Sequence, residues 1–466
     1  MLWVLCTLIS GACFFFSVGL GEVWLLAWAA PVPVLAMALS RPGAAPAFAA
    51  AFSAYALGGL NLLPAYWGVL PLPVLMLAIL APAALFALAA LGGHFAAHRL
   101  SPAAGALAFA ALWAGFDFLL AFDPAGGSVL TPAASQVAAP ALIQTASAAG
   151  FCAVTFLLGL VSGCASLSAG RKDVRMGALA LVLFASNYGF GLWRMSDPPA
   201  ARMRVALIAS DTAIGEIWSA DEPSARNVLR AYASEVRALA GRDVDLVVLP
   251  ENLMRIDPAW RDEALAPVRQ LADDLGVSLV AGFNTELDGV LYNVAWATRP
   301  GGEPAYYAKR RLVPGLETPI YARGKSSLAL PDGVMVAICK DLDFAEMISA
   351  DTFALHPRLI AVPAWDFRRD GWAHARIAIL RGVENGAAVA RTARDGRLTL
   401  TDRYGRLAAH TVSGDGFSVV VADVPLAPAP GPTLYTRTGS LFSWLFLSLG
   451  ILLTVSALFR RRPDPS

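Results

Sequence analysis

"VMVAICKDLDF", Val334 to Phe344, runs apolar and then places three charges within four residues of a cysteine. The β-branched run reads as a buried strand, so Cys339 stands at a strand tip. Outward from it the same signal recurs in "MRVALIAS", "VDLVVLPE", "VSLVAGF", "VLYNVAWAT", "RLIAVPA" and "FSVVVADV". Helical patterns lie between them. Leu229, Tyr232, Val236 and Leu239 mark one buried face over 227–240. "PVRQLADDLG" is expected to end at Gly276 and "AHARIAILRGVENG" at Gly386. Strands alternating with helices predict an α/β domain over 204–424. No phosphate-binding glycine loop interrupts it.

The rest of the chain has another composition. Of 466 residues 57% are hydrophobic and 15% charged, against about 25% charged in a soluble domain. The first two hundred residues hold only Arg41, Arg99, Arg171, Lys172, Arg175 and Arg194 as cations. A bilayer core takes about 20 apolar residues per helix, which predicts spans at 2–18, 23–40, 46–66, 71–92, 103–122, 141–168, 176–194 and 438–458. The first lacks a basic leader region and is followed at once by another, so it reads as a retained helix. The expected organisation is a seven-helix region over 1–198, the α/β domain over 204–424 and a closing helix over 438–458.

Short cytoplasmic loops collect Lys and Arg. Every cation above except Arg194 falls in the 2–3, 4–5 or 6–7 loop, and Arg460, Arg461 and Arg462 follow the last span. The intervening loops carry none. Both termini are therefore expected inside and the α/β domain outside. The net charge of +1 leaves no basic stripe for nucleic acid. An exported lone cysteine has no internal disulfide partner, so Cys339 reads as a free thiol. Glu22, His94, Asp117 and Asp123 are the notable ionisable residues of the helical region, which favours anchorage and lateral lipid entry over transport. Asp117 is expected to cap a helix near the outer face.

Three residues of the outer domain each close an apolar run: Glu251 after "DLVVLP", Lys309 after "AYYA", and Cys339. They are a base, a cation and a nucleophile, the set that acyl transfer through a thioester needs. A thiol is mostly protonated at neutral pH, so Cys339 needs a base such as Glu251. Lys309 and the backbone N–H after Cys339 are the expected oxyanion donors.

"VVLPEN", "YYAKRRLVPGLE" and "VAICKDLDF" resemble the Glu, Lys and Cys motifs of the nitrilase (carbon–nitrogen hydrolase) superfamily. With seven helices before and one after, the chain is similar to its membrane branch, the apolipoprotein N-acyltransferases. "YNVAW" at Tyr292, "SQ" at Ser135, "TDRYGR" at Thr401 and "PTLYTRTG" before the last helix add to the likeness. The resemblance implies an αββα sandwich in which Glu251 is the base, Lys309 stabilises the oxyanion and Cys339 carries the acyl group. Glu317 matches a second glutamate of the family. It implies a phospholipid acyl donor, the N-terminal amine of a diacylglyceryl-cysteine lipoprotein as acceptor, no cofactor, a monomer, and residence in the bacterial inner membrane. The chain departs from the family at "IAS" (208–210), Arg311, Lys340-Asp341 and "VPAWDFRRDGW". A tethered amidase and a non-catalytic binding protein on the same fold are the alternatives.

Lys340, Asp341, Trp218 and Trp365 are candidate substrate-binding residues with Glu317, the two tryptophans as walls of an acyl groove. His374 is expected on the solvated face of its helix with Arg376 and Arg381. No His/Cys/Asp cluster has metal-ligand spacing, so no metal is expected.

Overall fold

The computed structural model describes residues 1–198, 201–427 and 432–460. Arg461 and Arg462 lie outside the described residues. The chain divides into two compact units, one made of Met1–Asp197 and the chain from Arg437 onward, the other of Pro198–Thr436.

In the first unit, six helices among the described residues are long and apolar enough to cross a membrane. They are Ala44–Tyr66, Leu72–Arg99, Pro102–Leu120, Phe151–Arg171, Val174–Arg194 and Leu441–Phe459. The first two of the eight expected spans are shorter. Leu2–Ser17 has 16 residues, about 24 Å of helix. The second is a short apolar helix over Leu26–Ser40, interrupted where Ala30 and Pro31 separate Leu26–Ala29 from Val32–Ser40. The span expected from 141 begins only at Phe151, because Pro132 and Pro140 start 3-10 turns and Gly150 takes φ 74°.

Helices approach closely where side chains are small: a Cβ on Gly93 would lie 2.9 Å from the carbonyl of Gly105. Asp117 is buried and accepts from Thr131 and Thr155 hydroxyls at 2.7 and 2.6 Å. It joins two segments to its helix rather than capping that helix. Arg171 Nη2 donates to the Leu39 carbonyl at 2.7 Å, Arg99 Nη1 to that of Leu458 at 3.0 Å, and His94 Nδ1 lies 2.7 Å from that of Ala38. These bonds bring the basic loop ends together at one end of the bundle.

The second unit is an αββα sandwich. Its first sheet runs in the order Ser418–Leu426, Ala201–Ala209, Leu246–Val248, Ser278–Leu287, Val290–Thr298, Ala305–Ala308, with Arg255–Ile256 beside Ser278–Leu287. The second runs Leu407–Val412, Arg397–Thr401, Ala388–Arg394, Leu359–Trp365, Val334–Val336, Leu328–Ala329. Each has a parallel centre: Ala201–Ala209, Leu246–Val248 and Ser278–Leu287 in one, Val334–Val336, Leu359–Trp365 and Ala388–Arg394 in the other.

The sheets meet face to face. Val205, Leu207, Val248, Val280 and Ala295 pack with Val334, Val336, Ile338, Ala361 and Ala390. Burying a side chain such as Ile338 stabilises by about 1.5–3 kcal/mol. Odd and even residues of each strand point to opposite faces, so Leu279, Phe283 and Trp296 instead meet helices Glu222–Arg237 and Pro258–Leu275. Met335, Ile360 and Val389 likewise meet Ala345–Leu355 and Gly371–Asn385. Asp257 caps Pro258–Leu275 by accepting from Ala259 N at 2.8 Å, and Gly276 ends that helix at φ 68°.

Candidate active site

Glu251, Lys309 and Cys339 arrive from three strand ends. Glu251 follows Leu246–Val248 and is held over a glycine: a Cβ on Gly282 would stand 2.5 Å from Glu251 Cα and 2.6 Å from the Pro250 carbonyl. Gly282→Ala must therefore push this segment away, at about 1–3 kcal/mol for overpacking. It is expected to leave a folded protein with slowed acylation, read by thermal shift beside adduct formation. Lys309 follows Ala305–Ala308, and its N–H donates to the Asn293 carbonyl at 2.9 Å. Cys339 begins a 3-10 turn over Cys339–Asp343 at φ 41°. Left-handed backbone is strained for a residue with a Cβ and clusters at functional sites. Here it turns the thiol out of the strand while Ile338 stays in the core.

A buried ionic cluster joins two of these residues. Lys309 Nζ lies 2.7 Å from Glu251 Oε1 and 2.8 Å from Glu317 Oε1. Asn293 Nδ2 donates to the same two oxygens at 2.7 and 3.0 Å. Glu317 Oε2 accepts from Val313 N at 2.8 Å. Lys309 and Glu251 are each 2% exposed. Burial would lower the Lys309 pKa, but the Glu251 and Glu317 carboxylates outweigh it and hold it well above the ordinary value. Burial raises Glu251, with Lys309 and Asn293 pulling it back. Cys339 is half-buried. Burial first, and then the Glu251 carboxylate, hold its thiol well above the ordinary value, while Lys309 and Arg391 act against them. The cluster can therefore keep a fixed ammonium beside a carboxylate of raised basicity, with a protonated thiol within its field.

Residues 10–164 match the apolipoprotein N-acyltransferase N-terminal domain, and residues 204–427 match the carbon-nitrogen hydrolase domain. The chain belongs to the apolipoprotein N-acyltransferase family. It is similar to the apolipoprotein N-acyltransferase of Azotobacter vinelandii, 28% identical over 402 residues covering 78% of this chain and 75% of the relative. The Vibrio vulnificus apolipoprotein N-acyltransferase is 26% identical over 385 residues, 74% of each chain. Among solved structures, a CN-hydrolase superfamily protein from Xanthomonas campestris is 21% identical with a TM-score of 0.41, covering 48% of this chain and 91% of that one.

The other candidate residues of this N-acyltransferase family member fall in different places. Glu317 is in the cluster. Trp365 borders the thiol: Cys339 Sγ is 3.5 Å from its carbonyl oxygen. Its indole Nε1 donates to Asp395 at 3.1 Å. Trp218 is 63% exposed in the loop before helix Glu222–Arg237. Lys340 is buried with Nζ 3.4 Å from Asp343.

Asp341 differs from its expected place among substrate-binding groups. It is fully buried, and its carboxylate accepts from Tyr307 Oη at 2.7 Å, Arg311 N at 2.9 Å and Ile338 N at 3.0 Å. It fastens the cysteine turn to the lysine loop. His374 is not on a solvated face either. It lies between Asp370 at 3.3 Å and Asp343 at 3.8 Å. Burial lowers its pKa, but Asp370 and Asp343 together raise it to about 10. Arg376 and Arg381 are buried on the same helix, where Arg381 pairs with Glu384.

Asn293 is the site residue that sequence reading passed over, although it sits in the "YNVAW" motif. Directly opposite Asn284 in the antiparallel pair, it faces the inner side of the sheet. Because its amide lowers the Glu251 pKa, Asn293→Ala is expected to raise it further. A base must be ionised to act, so the acid limb of acylation should move to higher pH while the rate well above it changes less. A pH–rate profile of adduct formation measures this, and an unmoved limb counts against the role. Among the described residues no group of three or more His, Cys, Asp or Glu could hold a metal ion.

Proposed function

We propose that this chain is a membrane-bound acyltransferase that moves a fatty acyl chain from phospholipid, through a Cys339 thioester, to the N-terminal amine of a diacylglyceryl-cysteine lipoprotein. The observation that carries the reading is the buried Glu251–Lys309–Glu317 cluster beside a cysteine in left-handed backbone, in a chain with both domains of the family.

In this reading Glu251 takes the thiol proton as Sγ attacks the ester carbonyl carbon. Lys309 and the Lys340 N–H hold the resulting oxyanion. Collapse breaks the C–O bond, and Glu251 returns the proton to the departing lysophospholipid oxygen. The acceptor amine then attacks the thioester and Glu251 takes its proton. The C–S bond breaks, and the proton restores the thiol. The net change is one ester broken and one amide formed.

The same reading puts the protein in the bacterial inner membrane with residues 204–424 on the exported face. The bonds that gather Arg99, Arg171 and the 38–39 turn at one end of the bundle support that orientation, because loops rich in Lys and Arg stay cytoplasmic. A reporter fused after Pro198 is expected to be active only when exported, and one fused after Ser466 only in the cytoplasm. Reversed signals would refute the orientation. The function itself is tested by intact-protein mass spectrometry after incubation with phospholipid vesicles. The expected result is a mass gain of one acyl chain on the Cys339 peptide, and the contrary result is no adduct while small amides are hydrolysed.

A further inference from the structure

The strand Ala388–Arg394 ties together the surroundings of the thiol and of the proposed base. Cys339 Sγ donates to the Trp365 carbonyl at 3.5 Å. The next residue, Asp366, is gripped by Arg391 through Nη2–Oδ1 at 2.5 Å and Nη1–Oδ2 at 3.0 Å. Both partners are buried, at 2% and 1% exposure. A buried ion pair adds little to stability over apolar residues of the same volume, so packing alone does not account for it. Three strand residues on, Arg394 Nε donates to the Glu251 carbonyl at 3.2 Å, and its guanidinium lies 3.7 Å over the Trp365 ring. Asp366 N completes the link by donating to the Arg394 carbonyl at 3.1 Å.

We propose that Asp366 and Arg391 are positioning residues of the nucleophile. Asp366 fixes the carbonyl that receives the thiol hydrogen, and Arg391 supplies near the thiol a positive charge that Asp366 holds in check. Charged groups whose fields reach Cys339 include Glu251 and Lys309 from the first sheet, and Arg391 and Asp366 from the second. With Asp366 balancing Arg391, the thiol stays protonated until substrate brings its carbonyl to Lys309. A protonated thiol resists oxidation better than a thiolate. The inference rests on Cys339 being the nucleophile, but its test reads the thiol directly and does not require phospholipid to react.

The full-length protein in detergent is treated with iodoacetamide across a pH series, and alkylation of the Cys339 peptide is followed by mass spectrometry. Asp366→Asn keeps the shape and frees the guanidinium charge, so alkylation at pH 7 should rise on the order of three- to tenfold and its profile move to lower pH. Arg391→Gln should slow it by a similar factor and move the profile upward. Arg391→Lys, which keeps the charge, should remain near the wild-type profile. A purely structural pair would change the folded yield without opposite shifts. Unmoved profiles, or shifts in the same direction, overturn the proposal. If Asp366→Asn is not recovered folded, the two Arg391 variants decide: slowing in Gln but not in Lys supports the proposal, and equal behaviour overturns it.

Discussion

Cys339→Ala is expected to abolish acylation by phospholipid and all turnover, in a protein that still inserts and folds. The half-buried thiol donates to the Trp365 carbonyl at 3.5 Å and packs at the edge of the inter-sheet core; alanine keeps the Cβ, so the substitution removes the chemistry at a modest packing cost. Glu251→Gln keeps the volume and the hydrogen bond from Asn293 but cannot take a proton. Removing a general base typically costs about 10²–10⁴-fold. Lys309→Met removes the ammonium from between Glu251 Oε1 and Glu317 Oε1. Losing one oxyanion donor costs about 10²–10³ in rate, and two carboxylates are then left buried without their cation. Of the three substitutions, this is the one expected to lower stability as well, by about 3–5 kcal/mol. Groups that act as a unit are not additive. The Glu251→Gln/Lys309→Met double variant should therefore be no slower than the worse single variant by more than about tenfold. Single-turnover adduct formation checks all four proteins, and near-wild-type acylation by any single variant would refute that residue's role.

Much of this arrangement is legible in the chain because each proposed catalytic residue ends an apolar run. Burial fixes such a strand's backbone, and the residue after it emerges at the rim. That logic reaches Glu251, Lys309 and Cys339 one by one. It does not reach the bonds between them. Asn293 sits mid-strand in an apolar sequence, and only strand pairing reveals that its side chain faces the cluster. Strand Ala388–Arg394 is not among the apolar runs singled out in the sequence, because two arginines break its pattern, yet both are buried against Asp366 and the Glu251 carbonyl. Periodicity reports polarity, and it cannot say whether a charge is solvated or paired. Helix Gly371–Asn385 misleads for the same reason, since it is covered on nearly every side and its polar stripe is an internal ion-pair layer. Asp341 likewise looks like a site residue by position but spends its carboxylate on backbone and Tyr307. In the bundle, apolar composition marks the helices, while proline and glycine decide where Leu2–Ser17, Leu26–Ser40 and Phe151–Arg171 begin and end.

The largest functional difference to be measured lies in the second half-reaction. In the proposed mechanism transfer and hydrolysis both pass through a thioester on Cys339, so the adduct alone cannot distinguish an acyltransferase from a tethered amidase. What differs is the group that discharges it. A bundle with six helices long enough to span among the described residues is more than an anchor for a soluble-substrate amidase requires. It suits an acceptor that itself arrives from the bilayer, and the exposed Trp67 and Trp218 suit an interfacial or acyl environment. The acyl-enzyme formed from phospholipid should persist in detergent until an acceptor amine arrives, Glu251 being the proposed base for its proton. The decisive measurement is the lifetime of that thioester with and without a diacylated lipopeptide bearing a free N-terminal cysteine amine, followed by intact mass. The account predicts rapid loss of the acyl mass from Cys339 and its appearance on the lipopeptide amine, with an N-acetylated lipopeptide leaving the thioester in place. Decay at the same rate with either peptide or with none, releasing free fatty acid, would contradict it.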